Sequence, residues 1–589
     1  MTSALIDRLR TDLASAHYSV SALTGLWGSA ADAALHRNQR VPALRALAGL
    51  RHTLGREERS ATLARLFVLG LPVERSDLDA ALPTLGTSGA IELGLVGFVD
   101  QDGTGTNATP NGNNPSGDSD ALVGPLLELR PYSFIDGHGA GSWWIVSDLG
   151  ELALGHALGE NHVLGVGGAS LTLAGLMIPN PVDSALDLGT GCGIQAMHAA
   201  RHATHVVATD ISERALELAA LNAELNGIRN IEFRLGSLFA PVAGERFDHI
   251  ISNPPFVITP RTEGVPSYEY RDGGLVGDAI VEAVVRGAAA HLNPGGIAQL
   301  LGNWEYHDAS GAGGDAFDRL RSWLDAPRGG SGGSSSDGEG DGDGDSDGAK
   351  PAARSDAPGA PLDAWSAPLD AWIIEREVQG ATDYAETWIR DGGTRPDTAA
   401  FDRLYGAWLD DFEARGVSKV GFGYMLLRAP QTAPEPERMR GTPSSASRRA
   451  EPLRRLERLH DALGANAAGI GSHLAACLQA HDWQVATDDA QLAASHLTVA
   501  PDVTEERHYW PGHDDPTLMT LHQGGGFGRS VQLDTALAAL IGACDGDLAV
   551  GAIIAALAQL LEADETDLRV ELLPRVRELL DDGFVQAPA

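Results

Sequence analysis

Apolar residues recur along the first fifty positions at the spacing of helix faces. Leu5, Leu9 and Leu13 fall at i, i+4 and i+8, and Leu44, Leu47, Leu50 and Leu54 form a second run. Residues 63–99 read as short helices, and two strand-like apolar runs follow at 122–129 and 143–146. Helices followed by a two-stranded wing predict a winged-helix-like accessory domain over 1–150. Within it, 101–120 is rich in Gly, Asn, Thr and Ser and predicts a flexible loop.

From 151 to 430 the pattern changes to short apolar runs alternating with helical stretches, the signature of a parallel sheet covered on both faces. Strands are expected at 184–188, 205–209, 231–235, 247–251 and 297–301, with a helix at 212–226. The alternation stops at 326–361, an acidic stretch of Gly, Ser, Asp, Ala and Pro that cannot bury enough apolar surface to order itself. It resumes at 372–374 and closes at 419–427. Residues 431–452 read as a linker. Residues 453–589 read as a second accessory domain, also winged-helix-like, with helices at 533–544, 548–561 and 567–580 and a strand start at 583–585.

The chain has 589 residues and a net charge of -37, which weighs against broad, nonspecific nucleic-acid binding. No run of eighteen apolar residues and no leader-like N-terminus occurs, so a cytoplasmic protein without membrane spans is expected. Cys192, Cys477 and Cys544 lie far apart and the histidines show no ligand spacing, so no metal site is expected. Asp343, Asp345 and Asp347 resemble the start of a calcium loop, but Arg354 stands where the bidentate carboxylate belongs. Gly524, Gly525, Gly526 and Gly528 lack the Lys-Ser/Thr ending of a phosphate loop and read as a hairpin tip. Seven arginines between Arg438 and Arg458 read as a solvated linker and helix face rather than an RNA contact.

Chemistry concentrates at the ends of the predicted strands. Asp187, Gly189, Gly191 and Gly193 follow the first strand, where ligands bind in doubly wound sheets. Asp210 follows the second strand, and a carboxylate there can accept bonds from both hydroxyls of a ribose. These features specify an adenosine-containing cofactor without choosing which. Asn253, Pro254, Pro255 and Phe256 close the fourth strand and narrow the choice. A planar NH2 nitrogen is a poor nucleophile because its lone pair is delocalised. The Asn253 oxygen and the Pro254 carbonyl can accept its two N–H bonds, favouring a pyramidal nitrogen with an aimed lone pair. The prolines fix the backbone, and Phe256 offers a flat face.

On these residues the stretch 165–301 resembles the class I methyltransferases of the "small domain" group. That group includes release-factor glutamine, ribosomal-RNA guanine-N2 and adenine-N6 methyltransferases. The resemblance implies a Rossmann-like, mostly parallel seven-stranded sheet and S-adenosylmethionine as methyl donor. It implies that Asp187 and the three glycines hold the methionine end, Asp210 the ribose, and Ile211 the adenine face. Ser237 and Leu238 stand where relatives carry an acidic residue against the adenine. Asn253 to Phe256 would hold the acceptor nitrogen, belonging either to a protein glutamine, as in a release factor or ribosomal protein, or to a base of RNA or DNA. Tyr270 and Arg271, in the glycine-containing segment after the clamp, are expected over the acceptor.

Overall fold

The computed structural model of the chain describes residues 2–54, 58–99, 108–109, 120–154, 159, 161–262, 264–265, 271, 273–307, 315–325, 368–431 and 452–588. Its central sheet contains β1 (Val182–Leu188), β2 (Ala203–Asp210), β3 (Ile231–Leu235), β4 (Phe247–Ser252), β5 (Leu292–His307), β6 (Asp370–Gly380), β7 (Val417–Arg428) and β8 (Arg454–Arg458). The order is β8-β6-β7-β5-β4-β1-β2-β3, and β7 alone runs against the rest. Strand order reverses between β1 and β4, which opens a crevice at their carboxyl ends. The helices are α1 (Gly168–Leu176), α2 (Ile194–Ala199), α3 (Glu213–Leu225), α4 (Ala279–His291), α5 (Ala316–Asp325), α6 (Ala381–Asp391) and α7 (Ala399–Arg415).

Local sequence explains these elements. Ala185, Leu186 and Leu188 are all buried, as expected of a strand covered on both faces. Helix α3 starts where Ser212 caps the Ala215 N–H, and Glu213 lies in its first turn. The sheet has one strand more than the seven expected. Arg454, Arg455 and Arg458 lie on β8, parallel to β6, rather than on a solvated linker or helix face. Their charges are taken up internally. Arg455 pairs with Glu457 and Asp582 and lies over Trp372, and Arg458 pairs with Glu375 and Asp315. Arg438, Arg440, Arg448 and Arg449 lie outside the described residues, as does the acidic insert 326–361.

The N-terminal region differs from a helical domain with a simple wing. Val96–Val99, expected as helix, is a strand between Leu122–Pro125 and Ala108–Thr109 in a four-stranded antiparallel sheet. The run 122–129 is therefore two strands, because Leu127–Asp136 pairs instead with Gly139–Asp148 in a long hairpin. That hairpin does not project. Asn226 bonds both the N–H and the carbonyl of Trp144, and Arg10 donates to the α3 carbonyl of Leu225. A single buried cluster joins Leu9, Leu13, Leu66 and Val146 to Cys192, Met197 and Leu218.

At the other end, helices Gly471–Ala486, Asp489–Ala494, Thr535–Gly542, Val550–Leu560 and Glu565–Asp581 surround a three-stranded antiparallel sheet. Val585–Gln586 pairs with Thr498–Val499. Leu518–Gln523 and Ser530–Leu533 flank the glycine run, which is a hairpin tip as expected. Among the described residues, no helix is long and apolar enough to cross a membrane, and no cluster of His, Cys, Asp or Glu could hold a metal.

His249 on β4 is fully buried between His202 (3.0 Å) and the Gln299 oxygen (3.1 Å). Burial pushes its pKa down to about 3. The native state therefore resists a proton that the unfolded chain accepts below about pH 6.5. Stability from this group is complete above that pH and is lost as the pH falls. His249→Gln should therefore cost less stability at pH 5 than at pH 7.5, by about 2 kcal/mol. Urea melts at the two pH values measure the difference, and an equal cost at both would exclude the assignment.

Candidate functional site

Gly189, Gly191 and Gly193 all have positive φ, which shapes the turn between β1 and α2. A Cβ on Gly193 would meet Ala219 of α3 at 2.9 Å, so the third glycine permits helix packing. A Cβ on Gly189 or Gly191 would meet nothing within 4 Å, so the first two border open space. The turn is held from three sides. Asp187, fully buried beneath it, accepts the Thr190 hydroxyl (2.5 Å) and the Ala196 N–H (2.8 Å) through Oδ2. Asp210 accepts the Gly191 N–H through Oδ2 and the Ser212 N–H through Oδ1, both at 2.9 Å. Asn222 of α3 donates to the Cys192 carbonyl (2.9 Å).

Asn222 belongs to no motif that would mark it in the sequence. It is fully buried, and its amide also exchanges bonds with both the N–H and the carbonyl of Val146 in the N-terminal hairpin. One side chain thus joins the accessory region to the glycine turn. Only its position two helical turns into α3, on the buried face, could have signalled this. Gln195, also buried, donates from Nε2 to the Ser170 carbonyl of α1.

Beside this turn, β4 ends level with β1. Ser252 is in register with Leu188 and donates its hydroxyl to the Leu188 carbonyl at 2.8 Å. Asn253 follows immediately, and its Oδ1 is buried without a hydrogen-bond partner. The second oxygen of Asp187, Oδ1, and the Gln195 Oε1 are likewise buried and unpartnered. Buried acceptors are rarely left unpaired, so a donor-bearing group fits here. Burial pushes the Asp187 carboxyl up to about 7 and raises that of Asp210 as well.

The remaining candidates divide. Ile211 is 63% exposed beside Asp210. Ser237 is exposed, and Leu238 adopts φ +47°, a left-handed conformation uncommon for a bulky residue and concentrated at ligand sites. Pro254 is buried and Pro255 half-buried. Phe256 is not an open face: its ring is buried, 5.5 Å from that of Phe422 on β7. Arg271 is also buried, with Nη1 donating to the Trp388 carbonyl of α6 at 3.0 Å, rather than lying over a crevice. Tyr270 lies outside the described residues.

A mostly parallel sheet, a glycine turn after β1, an acidic residue after β2 and an Asn-Pro-Pro-Phe segment after β4 define a Rossmann-like core of the class I methyltransferase type. Residues 166–309 match the family described as Methyltransferase small domain. Residues 15–108 and 475–587 match two families described as Domain of unknown function (DUF7059) and Domain of unknown function (DUF7782). The chain is 39% identical over 127 residues to a release factor glutamine methyltransferase of Xylella fastidiosa, covering 20% of this chain and 46% of that protein. It is 36% identical over 162 residues to a ribosomal protein uL3 glutamine methyltransferase of Bradyrhizobium diazoefficiens (26% and 47%). It is 30% identical over 179 residues to a ribosomal RNA small subunit methyltransferase C of Salmonella newport (30% and 46%). The chain spans about half the length of these curated relatives.

Truncating Asn222 to Ala would leave the Val146 N–H and two carbonyls buried without partners. Stability should fall by about 2–5 kcal/mol, the range for breaking a buried hydrogen-bonded network. Denaturant unfolding measures the loss, and a cost below 1 kcal/mol would refute the bridging role.

Proposed function

We propose that the chain transfers the methyl group of S-adenosylmethionine to the side-chain amide nitrogen of a protein glutamine. The observation that carries this reading is the buried, unpartnered Oδ1 of Asn253 at the end of β4, next to the glycine turn. An acceptor oxygen held dry and in place, without a donor from the protein, suits one N–H of a planar NH2 group. The Pro254 carbonyl takes the other. Two accepted bonds on one nitrogen favour pyramidal geometry and expose the lone pair. As the new C–N bond forms and the C–S bond of the donor breaks, the nitrogen loses one of its two protons to water. The rate gain comes from orientation and fixed dipoles rather than from a side-chain base.

When bound, the cofactor supplies an electrophilic methyl on a sulfonium. The open space at Gly189 and Gly191 admits its methionine end. The free oxygens of Asp187 and Gln195 suit its ammonium group. Asp210 accepts from the ribose while its own orientation is fixed by Gly191 and Ser212. Ile211 and Leu238 cover the adenine.

Protein is favoured over nucleic acid as the acceptor for two reasons. The Phe256 ring is committed to Phe422, which removes the stacking face a base would use. The Arg455 and Arg458 charges are neutralised within the protein, and the chain carries -37 overall. The glutamine methyltransferases among the relatives support the same choice.

Purified protein incubated with radiolabelled S-adenosylmethionine and cell lysate should label a protein band that survives nuclease. Label lost on nuclease treatment would overturn the glutamine reading. Asn253→Ala should abolish transfer and leave cofactor affinity within about twofold; full activity would refute the clamp. Asp210→Ala should weaken cofactor binding by about 1.5–3 kcal/mol, roughly 10- to 150-fold, in a calorimetric titration.

A further inference from the structure

The clamp leaves β4 without joining a further strand, so something else must hold it. Its next two backbone N–H groups are both taken. Val257 donates to the Arg271 carbonyl at 2.9 Å, and Ile258, fully buried, donates to the Tyr384 hydroxyl at 3.0 Å. Tyr384 stands on α6, inserted with α7 between β6 and β7. The same hydroxyl accepts from Asn303 Nδ2 on β5 at 2.6 Å. Four residues further along α6, the Trp388 carbonyl receives the guanidinium of Arg271, with the Asp391 carboxylate 3.9 Å away. One helix therefore grips both Ile258 and Arg271, the two ends of the segment after the clamp.

We infer that α6 sets the position of the Asn253 oxygen, with Tyr384 and Arg271 as positioning residues. The inference rests on the proposed methyl transfer, because only that reading gives the Asn253 position a rate to control. Pro254 and Pro255 make the connection stiff: each fixes its own φ and restricts the residue before it. A displacement at Ile258 is thus passed back to Asn253 instead of being absorbed by rotation between them. Gly273 closes on the same proline from the other side, since a Cβ there would fall 2.8 Å from Pro255 Cγ. Burial raises the Tyr384 phenol far above its ordinary range, so it stays a neutral hydroxyl whose oxygen receives two N–H donors. Removing that oxygen leaves the Ile258 N–H buried and unpaired, and the local backbone must move to recover a partner.

The test compares the full chain with Tyr384→Phe, which keeps the ring and its packing against Trp408 and Phe412. Amide hydrogen exchange in the peptide containing Ile258 should accelerate at least tenfold. Calorimetry should give an S-adenosylmethionine dissociation constant within about twofold of wild type, because the glycine turn and Asp210 are untouched. With the acceptor protein from the labelling experiment, kcat should fall about 10- to 100-fold, as expected for misplacing a reacting group by about an ångström, with KM changed less than threefold. Arg271→Lys keeps the charge and loses the planar fork. It should shift exchange and kcat in the same direction, and it carries the test if Tyr384→Phe does not fold. Unchanged exchange, or accelerated exchange with wild-type kcat, would overturn the inference. A wild-type protein that methylates nothing would instead refute the proposed reaction. In that event unchanged exchange in Tyr384→Phe overturns the brace as well, and accelerated exchange with intact cofactor affinity upholds it.

Discussion

The pairing of β4 with β1 is the contact on which the site depends. Parallel strands in register bring Ser252 beside Leu188, and a side-chain bond from one to the other seals their ends. The chain passes from β1 into the glycine turn and from β4 into Asn253, so the paired strand ends set these two features side by side. A slip of one residue would turn the side chains of the slipped strand to the other face of the sheet and separate these groups. The register itself is protected by burial, since Ala185, Leu186, Ile250 and Ile251 have no exposed face on which to slide.

Around that contact the protein builds with hydrogen bonds to backbone rather than with salt bridges. Asp187, through Oδ2 alone, and Asp210 accept N–H and O–H groups of the turn and of the helix starts. Such bonds orient an acidic group without neutralising it. A group of ion pairs lies instead at the β8 end of the sheet. Glu457 on β8 receives Arg529 and Trp372, while Arg428 bridges Asp370 and Asp482. These charges fasten the C-terminal region to the sheet, far along the strand order from the glycine turn.

The parts of this architecture that are legible in the sequence are those governed by local rules. Alternating strands and helices, the Ser212 cap and the glycine turn each follow from residues within a few positions of one another. Long-range choices are less visible. Arg454 to Arg458 carries four charged residues and one leucine, yet forms an eighth strand because Asp582, Glu375 and Asp315 arrive from elsewhere in the chain to neutralise it. The break between Pro125 and Leu127 looks like one apolar run until its two halves find different partners. Proximity in sequence to Asn253 suggests that Phe256 and Arg271 lie near the acceptor. Their side chains instead turn inward, because Phe422 and Trp388 are contributed by segments more than one hundred residues away.

Asn222 bears on how such a chain can be divided. Its amide is shared between the N-terminal hairpin and the glycine turn, and apolar residues from both regions occupy one cluster. Cutting before the first strand of the sheet would therefore strip a wall from the turn and expose a sheared core, rather than release a self-sufficient catalytic module. The family matches at 15–108 and 166–309 leave the hairpin between them, outside both. The gap between those two matches is not a place where the folded molecule can be taken apart.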